Sequence, residues 1–241
     1  MTLRFRPLLG FTILILPLFA FLVGLGVWQL ERLQWKLGLI AEMDRNMHAA
    51  PISIDRALAA SSSRSQYRRV ALSGTYDNSK EAYVFTTGPH GVPVYHVLTP
   101  LKLEDGRVFI VDRGLVPPAL RDPSTRASGE LRGEQNVVGV FRTPDSPGAF
   151  TPAADLAHRI WFARDLKSIA AAQHIRLSAP VIIEADAVPV AGGWPKGGQT
   201  VVNLPNDHLQ YAITWFLLAA ALTVIYFAYH HARGRLTFRL R

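Results

Sequence analysis

Two stretches of this chain carry no charged side chain: residues 8–30, bounded by Arg6 and Glu31, and residues 209–229, bounded by Asp207 and the His230–His231 pair. At a rise of about 1.5 Å per residue, each spans roughly 30 Å as a helix, the thickness of one hydrocarbon core. Both read as transmembrane helices. The first run follows Arg4 and Arg6 as a secretory signal would. It is longer than a signal core, however, and no small-residue cleavage site ends it before Trp28, so it reads as an uncleaved anchor.

Orientation follows from the short tails. Arg4 and Arg6 precede the first run, and Arg233, Arg235, Arg239 and Arg241 follow the second, with no acidic residue in either tail. The positive-inside rule then puts both termini in the cytoplasm and the intervening chain outside. The stretch before the anchor is too short for an ordinary mitochondrial transit peptide, which points to a bacterial inner membrane. The expected plan is a cytoplasmic tail (residues 1–7), a first transmembrane helix (8–30), a periplasmic domain (31–207), a second transmembrane helix (208–229) and a basic cytoplasmic tail (230–241).

Composition narrows the chemistry. The 241 residues carry a net charge of +8, but six of the 26 Lys and Arg lie in the tails, leaving 20 basic against 18 acidic residues. The basic excess is therefore a topology feature and not a nucleic-acid surface. The chain has no cysteine, which excludes disulfides, thiolate metal sites, iron–sulfur clusters and cysteine nucleophiles. No G-x-S-x-G, H-E-x-x-H or P-loop pattern is present, so the residues offer no catalytic apparatus.

Between the two runs the period of the sequence changes. Leu33, Leu37, Ile40, Met43 and Met47 form a helical stripe that carries the first helix beyond the membrane. Residues 60–66, "ASSSRSQ", have the composition of a linker. Residues 67–76, 82–87, 92–101 and 107–116 are then β-rich runs separated by "DNSK", "TGPHG" and "LEDG", which predicts antiparallel pairing of neighbours. The polar stretch 118–133 reads as an exposed loop. Residues 136–141 and 181–185 read as further strands, and 166–174 as a helix capped by Asp165. The fold class is thus a membrane protein with two transmembrane α-helices flanking a mainly-β α+β extramembrane domain.

Three separated stretches, "GVWQLERLQWKLGLI", "VFIVDRGLVP" and "NDHLQYAITWF", together with the two-anchor layout, resemble the surfeit locus protein 1 family over essentially the whole chain. Trp28, Gln29, Arg32, Trp35 and Lys36 match the first family block. Tyr67, Val70, Gly74, Tyr76, Thr99, Pro100, Arg113, Gly114, Val116 and Pro117 match the β region. Trp161, Phe162 and Asp165 match a later block, and His208, Tyr211, Ala212, Thr214, Trp215 and Phe216 the last. Leu115 departs from the usual Trp and Asp207 from the usual Asn. The resemblance implies an assembly factor for cytochrome c oxidase that is not an enzyme. It also implies transient binding of haem a, with His208 as its proposed iron ligand. The implied partners are oxidase subunit I, a haem a synthase and the lipid bilayer, with no nucleic acid.

The residues themselves allow such a site. An imidazole offers a lone pair to haem iron, and on a helix His208, Tyr211, Trp215 and Leu222 share a face. Trp28 and Gln29, at the far end of the first helix, fall level with His208 and could wall the same pocket. The commoner role of Trp and Tyr at such a boundary is to anchor a helix in the interface, and a histidine there can serve as a cap. Ala20 and Gly24 have the small-xxx-small spacing that lets helices approach closely. Arg113 could grip a haem propionate through two parallel hydrogen bonds, or form a surface salt bridge. Met43, Met47 and His48 form the one group resembling a soft-metal site, although methionines at that spacing more often fill an apolar stripe. His90 and His96 on one extended strand stand too far apart to share a metal. Two rival functions remain at this stage, a cofactor-free scaffold for an oxidase intermediate and copper delivery.

Overall fold

The structure, a computed structural model, describes residues 2–88, 91–200 and 204–239. The chain divides into two compact units, Met1–Ala41 with Asn203–Arg241, and Glu42–Val202. His90 lies outside the described residues.

The first unit is built on two helices, α1 (Leu9–His48) and α5 (His208–Ala232). Both are long and apolar enough to cross a membrane. They run antiparallel, because Leu8 meets His230, Thr12 meets Tyr226, Gly26 meets Phe216 and Gln29 meets His208. The close approach is not at Ala20 or Gly24, both of which are exposed. It is at Gly26, the one buried residue among those described in α1, where a Cβ would stand 2.6 Å from the Phe216 ring. A small residue matters only on the face that meets the partner helix, and Gly24 is turned away from it. Strands β1 (Thr2–Phe5) and β10 (Leu236–Arg239) pair antiparallel.

The second unit centres on one sheet. In chain order its strands are β2 (Ile52–Ser53), β3 (Arg69–Tyr76), β4 (Ala82–Thr87), β5 (Pro93–Lys102), β6 (Val108–Val116), β7 (Glu134–Arg142), β8 (Ile160–Trp161) and β9 (Ile182–Ala185). They lie in the spatial order β2-β3-β7-β9-β6-β5-β4-β8, and a further β3–β5 pairing closes β3, β7, β9, β6 and β5 into a ring. The neighbours β4, β5 and β6 pair antiparallel. By contrast β3 pairs with the distant β7, and β9 runs parallel to β6.

Alternation along the strands explains the two cores. Val70, Leu72, Leu101, Phe109, Val111, Val137, Phe141 and Ile183 form one cluster, roofed by Ile54 and Ala57 of α2 (Ile54–Ala59). Val84, Leu98, Ile110 and Ile182 form the other, covered by Leu166 and Ile169 of α4 (Leu166–Ala172). The expected cap is present: the Asp165 carboxylate accepts from the Lys167 and Ser168 amides at 3.1 and 3.2 Å. Burying these faces supplies the hydrophobic term, about 25 cal/mol per Å², that a disulfide-free domain requires.

Three sequence expectations fail in this unit. Tyr67 adopts a left-handed φ of 63°, so β3 starts at Arg69 and not at Tyr67. Within 60–66 the residues Ser62–Ser65 form a short helix, α3, and the buried Ser65 donates to the Ala57 carbonyl at 2.6 Å, so the segment is packed and not a linker. The 118–133 stretch is not a solvated loop, since its Arg126 is buried.

One irregularity positions Arg113. Between His96 and Leu98 the register slips, and Arg113 and Gly114 of β6 together oppose Val97 of β5, which is a β-bulge. Gly114 has φ 110°, and a Cβ there would stand 1.9 Å from the Lys196 carbonyl oxygen. Only glycine fits.

Candidate functional site

The helix pair brings His208 and Gln29 together. Nδ1 of His208 lies 2.8 Å from Oε1 of Gln29. A carboxamide oxygen only accepts, so Nδ1 carries the proton and donates it to Gln29. The lone pair of the ring is then on Nε2. Among the described residues no donor or acceptor meets Nε2, which leaves it available to a ligand from outside the protein.

The same helix holds a contrasting histidine. His230 is fully buried; its Nδ1 donates to the Tyr226 carbonyl at 2.8 Å, and its Nε2 accepts from the Leu8 amide at 3.1 Å. Leu8 precedes α1, and its N–H is one of the orphan donors of a helix start. Both nitrogens of His230 are consumed in closing that end, which Thr12 and Tyr226 reinforce through a 2.6 Å hydroxyl contact. His230 is structural, whereas only one nitrogen of His208 is used.

The predicted aromatic residues divide. Trp28 and Tyr211 are 51% and 55% exposed, while Trp215 is half-buried in α5. All three lie in the unit that holds His208. Trp28 does not pack between the helices, because Gln29 occupies that position. The chemistry of this donor set suits a flat macrocycle with a metal centre: one free imidazole nitrogen, rings beside it, and apolar helix below.

Arg113 is placed elsewhere, in the second unit, and neither a propionate grip nor a surface salt bridge describes it. Its guanidinium is buried. It meets Glu81 Oε1 and Asn78 Oδ1, each at 3.3 Å, and the Gly129 carbonyl, and it stacks 4.9 Å from the Tyr76 ring centroid. A guanidinium so engaged has no fork left for a ligand carboxylate. The soft-metal group is also committed in part: Nδ1 of His48 donates to the Asp44 carbonyl at 2.9 Å.

Comparison with known proteins fixes the family. A sequence profile of the SURF1 family matches residues 16–220. Surfeit locus protein 1 of Takifugu rubripes is 36% identical over 232 residues, spanning 90% of this chain and 94% of that protein. Surfeit locus protein 1 of Homo sapiens is 33% identical over 238 residues, spanning 91% and 76%. A SURF1-like protein of Drosophila melanogaster is 32% identical over 237 residues, with the same spans of 91% and 76%. The chain belongs to the SURF1 family.

The SURF1 family is known for assembly of cytochrome c oxidase, which suggests a role other than catalysis. The matched region includes Trp28, Gln29, Arg32 and His208. Within this SURF1 family fold the structure adds two buried ion clusters that sequence reasoning did not find. In the first, Arg126 pairs with Glu81 and Glu130, and Arg113 joins from 3.3 and 3.8 Å. Desolvation, together with the Glu81 charge, pushes the Glu130 carboxyl above its ordinary value despite Arg126 and Arg113. Burial pushes the Tyr76 phenol up to about 12, opposed by Arg113.

The second cluster lies on the α4 side of the sheet. His96 Nδ1 stands 2.8 Å from Asp112 Oδ2 without hydrogen-bond alignment. Arg164 bridges Asp112 at 3.4 Å and Glu184 at 2.9 Å, and Thr200 donates to Glu184 at 2.6 Å. Burial opposes ionisation of Asp112, but His96, Arg164 and the Gly114 amide more than offset it and hold the carboxyl below its ordinary value. The faint sequence sign of both clusters was charge inside strand-like alternation, at Asp112 and Arg113.

Proposed function

We propose that this protein assists assembly of cytochrome c oxidase by holding haem a on His208 and presenting it to subunit I. The observation that carries this reading is the His208–Gln29 hydrogen bond, which fixes the tautomer and leaves Nε2 unengaged among the described residues. His208 would hold the haem iron through Nε2, the imidazole supplying a nitrogen donor that haem iron accepts. Gln29 orients the ring, and Tyr211 and Trp215 offer it an aromatic wall.

The two apolar helices and the Arg-only tails support an inner-membrane protein with cytoplasmic termini and a periplasmic β domain. That domain would engage the oxidase subunit. The test is the visible absorption spectrum of the detergent-purified protein and of His208→Ala, both from cells that make haem a. The expected result is a haem a spectrum in the wild type that is lost or shifted in the variant. A cofactor-free wild type would sink the haem reading and favour a scaffold.

A further inference from the structure

Arg32 is a residue of the first family block whose chemistry the site has not absorbed. Its guanidinium carbon lies 4.0 Å over the Trp35 ring. Arg32 itself is exposed and Trp35 is 53% exposed. Among the described residues no carboxylate pairs with Arg32. Stacking engages the flat face of a guanidinium and leaves its edge N–H groups, the ones that match a carboxylate, pointing outward.

Helix geometry places Arg32 beside His208. A three-residue step along α1, from Gln29 to Arg32, turns back by about 60° and advances about 4.5 Å. Because α5 runs antiparallel, the same step from His208 to Tyr211 turns toward the same flank of the pair but advances the opposite way. Arg32 and Tyr211 therefore lie on one flank, on either side of the His208–Gln29 level, with Arg32 displaced toward the polar end of the span. A ligand held by Nε2 would have its apolar part beside Tyr211 and Trp215 and any acidic edge beside Arg32.

We infer that Arg32, stacked on Trp35, is a carboxylate-binding residue that grips a propionate of the haem held by His208, the role that Arg113 cannot fill. This rests on the His208 reading and adds to it the orientation of the ligand. A lipid phosphate offers the same oxyanion chemistry, and the experiment separates the two sources.

Full-length protein in detergent would be titrated with iron protoporphyrin IX and, separately, with its dimethyl ester, following the Soret band. The proteins compared are the wild type, Arg32→Gln, Arg32→Lys and His208→Ala. The expected result is that Arg32→Gln weakens binding of the free acid about tenfold or more and leaves ester binding and the axial-ligand spectrum unchanged, with Arg32→Lys in between. Equal binding of the free acid by wild type and Arg32→Gln would overturn the assignment, and that is also what a lipid-phosphate role yields. Equal weakening of acid and ester would assign Arg32 a merely structural role. Haem binding lost in His208→Ala but indifferent to Arg32 would sink this inference alone. No binding of either haem by the wild type would sink the His208 reading with it.

Discussion

Gly26 and Phe216 occupy the same space at the crossing of the two long helices, the Phe216 ring standing where a side chain on Gly26 would begin. A methyl group at position 26 must displace either the ring or the helix. Gly26→Ala should cost about 1–3 kcal/mol by overpacking, read as a lower thermal midpoint of the full protein in detergent. Phe216→Leu in the same chain should recover part of the loss. Additive effects of the two substitutions would show that the positions do not touch.

Gln29 should matter to ligand binding through His208 alone. Gln29→Leu keeps the volume but removes the acceptor that holds Nδ1–H, so the ring is free to turn and change tautomer. A lost partner of a metal-ligating imidazole typically lowers affinity about 10- to 100-fold. The check is haem titration, with Gln29→Leu expected between wild type and His208→Ala. Indistinguishable wild-type and Gln29→Leu curves would remove the hydrogen bond from the account.

The Glu81–Arg126 pair should behave as a unit. Arg126→Met leaves Glu81, which is almost completely buried, with Arg113 as its remaining cation, and breaking one side of such a pair costs about 3–5 kcal/mol. Adding Glu81→Gln should return a good part of that stability. Denaturant unfolding of single and double variants measures both, and a double variant no more stable than Arg126→Met would contradict the coupling.

Asp112 should give the second unit an acid-sensitive term. Its folded carboxyl titrates below the ordinary value of 3.8. The stabilisation is therefore complete above that value and lost as pH falls from it through the folded value. The stability gap between wild type and Asp112→Asn should narrow progressively as pH falls from about 5 through the ordinary value and below it. Denaturant midpoints across that range test this, and a gap unchanged at the acid end would contradict the assignment.

These groups differ in how far the sequence exposed them. The helices were legible because an uncharged run of bilayer length has few alternatives. The levels of Gln29 and His208 followed from the same helix geometry. The strands were legible wherever alternation was strong, as from Val70 to Tyr76, and Asp165 was legible as a cap because its donors are the next few residues. Arg113 and Arg126 were not, because Glu81 lies 32 and 45 positions away in the chain and no local period encodes such a pairing. Ring closure was hidden for the same reason: β3 must skip past three strands to find β7. The stretch around Arg126 read as solvated because composition alone does not distinguish a hydrated guanidinium from one buried between two carboxylates.

Buried charge also sets how the second unit can breathe. The segment Pro123–Gly129 carries Arg126 on short turns, the kind of structure that elsewhere frays at little cost. Here it cannot lift away without leaving Glu81 with Arg113 as its one remaining cation. Its amides that are bonded within the protein should then exchange hydrogen on the schedule of the β-strands and not on that of a surface loop. A stretch with the composition of a surface loop is fastened through Arg126 to the buried interior.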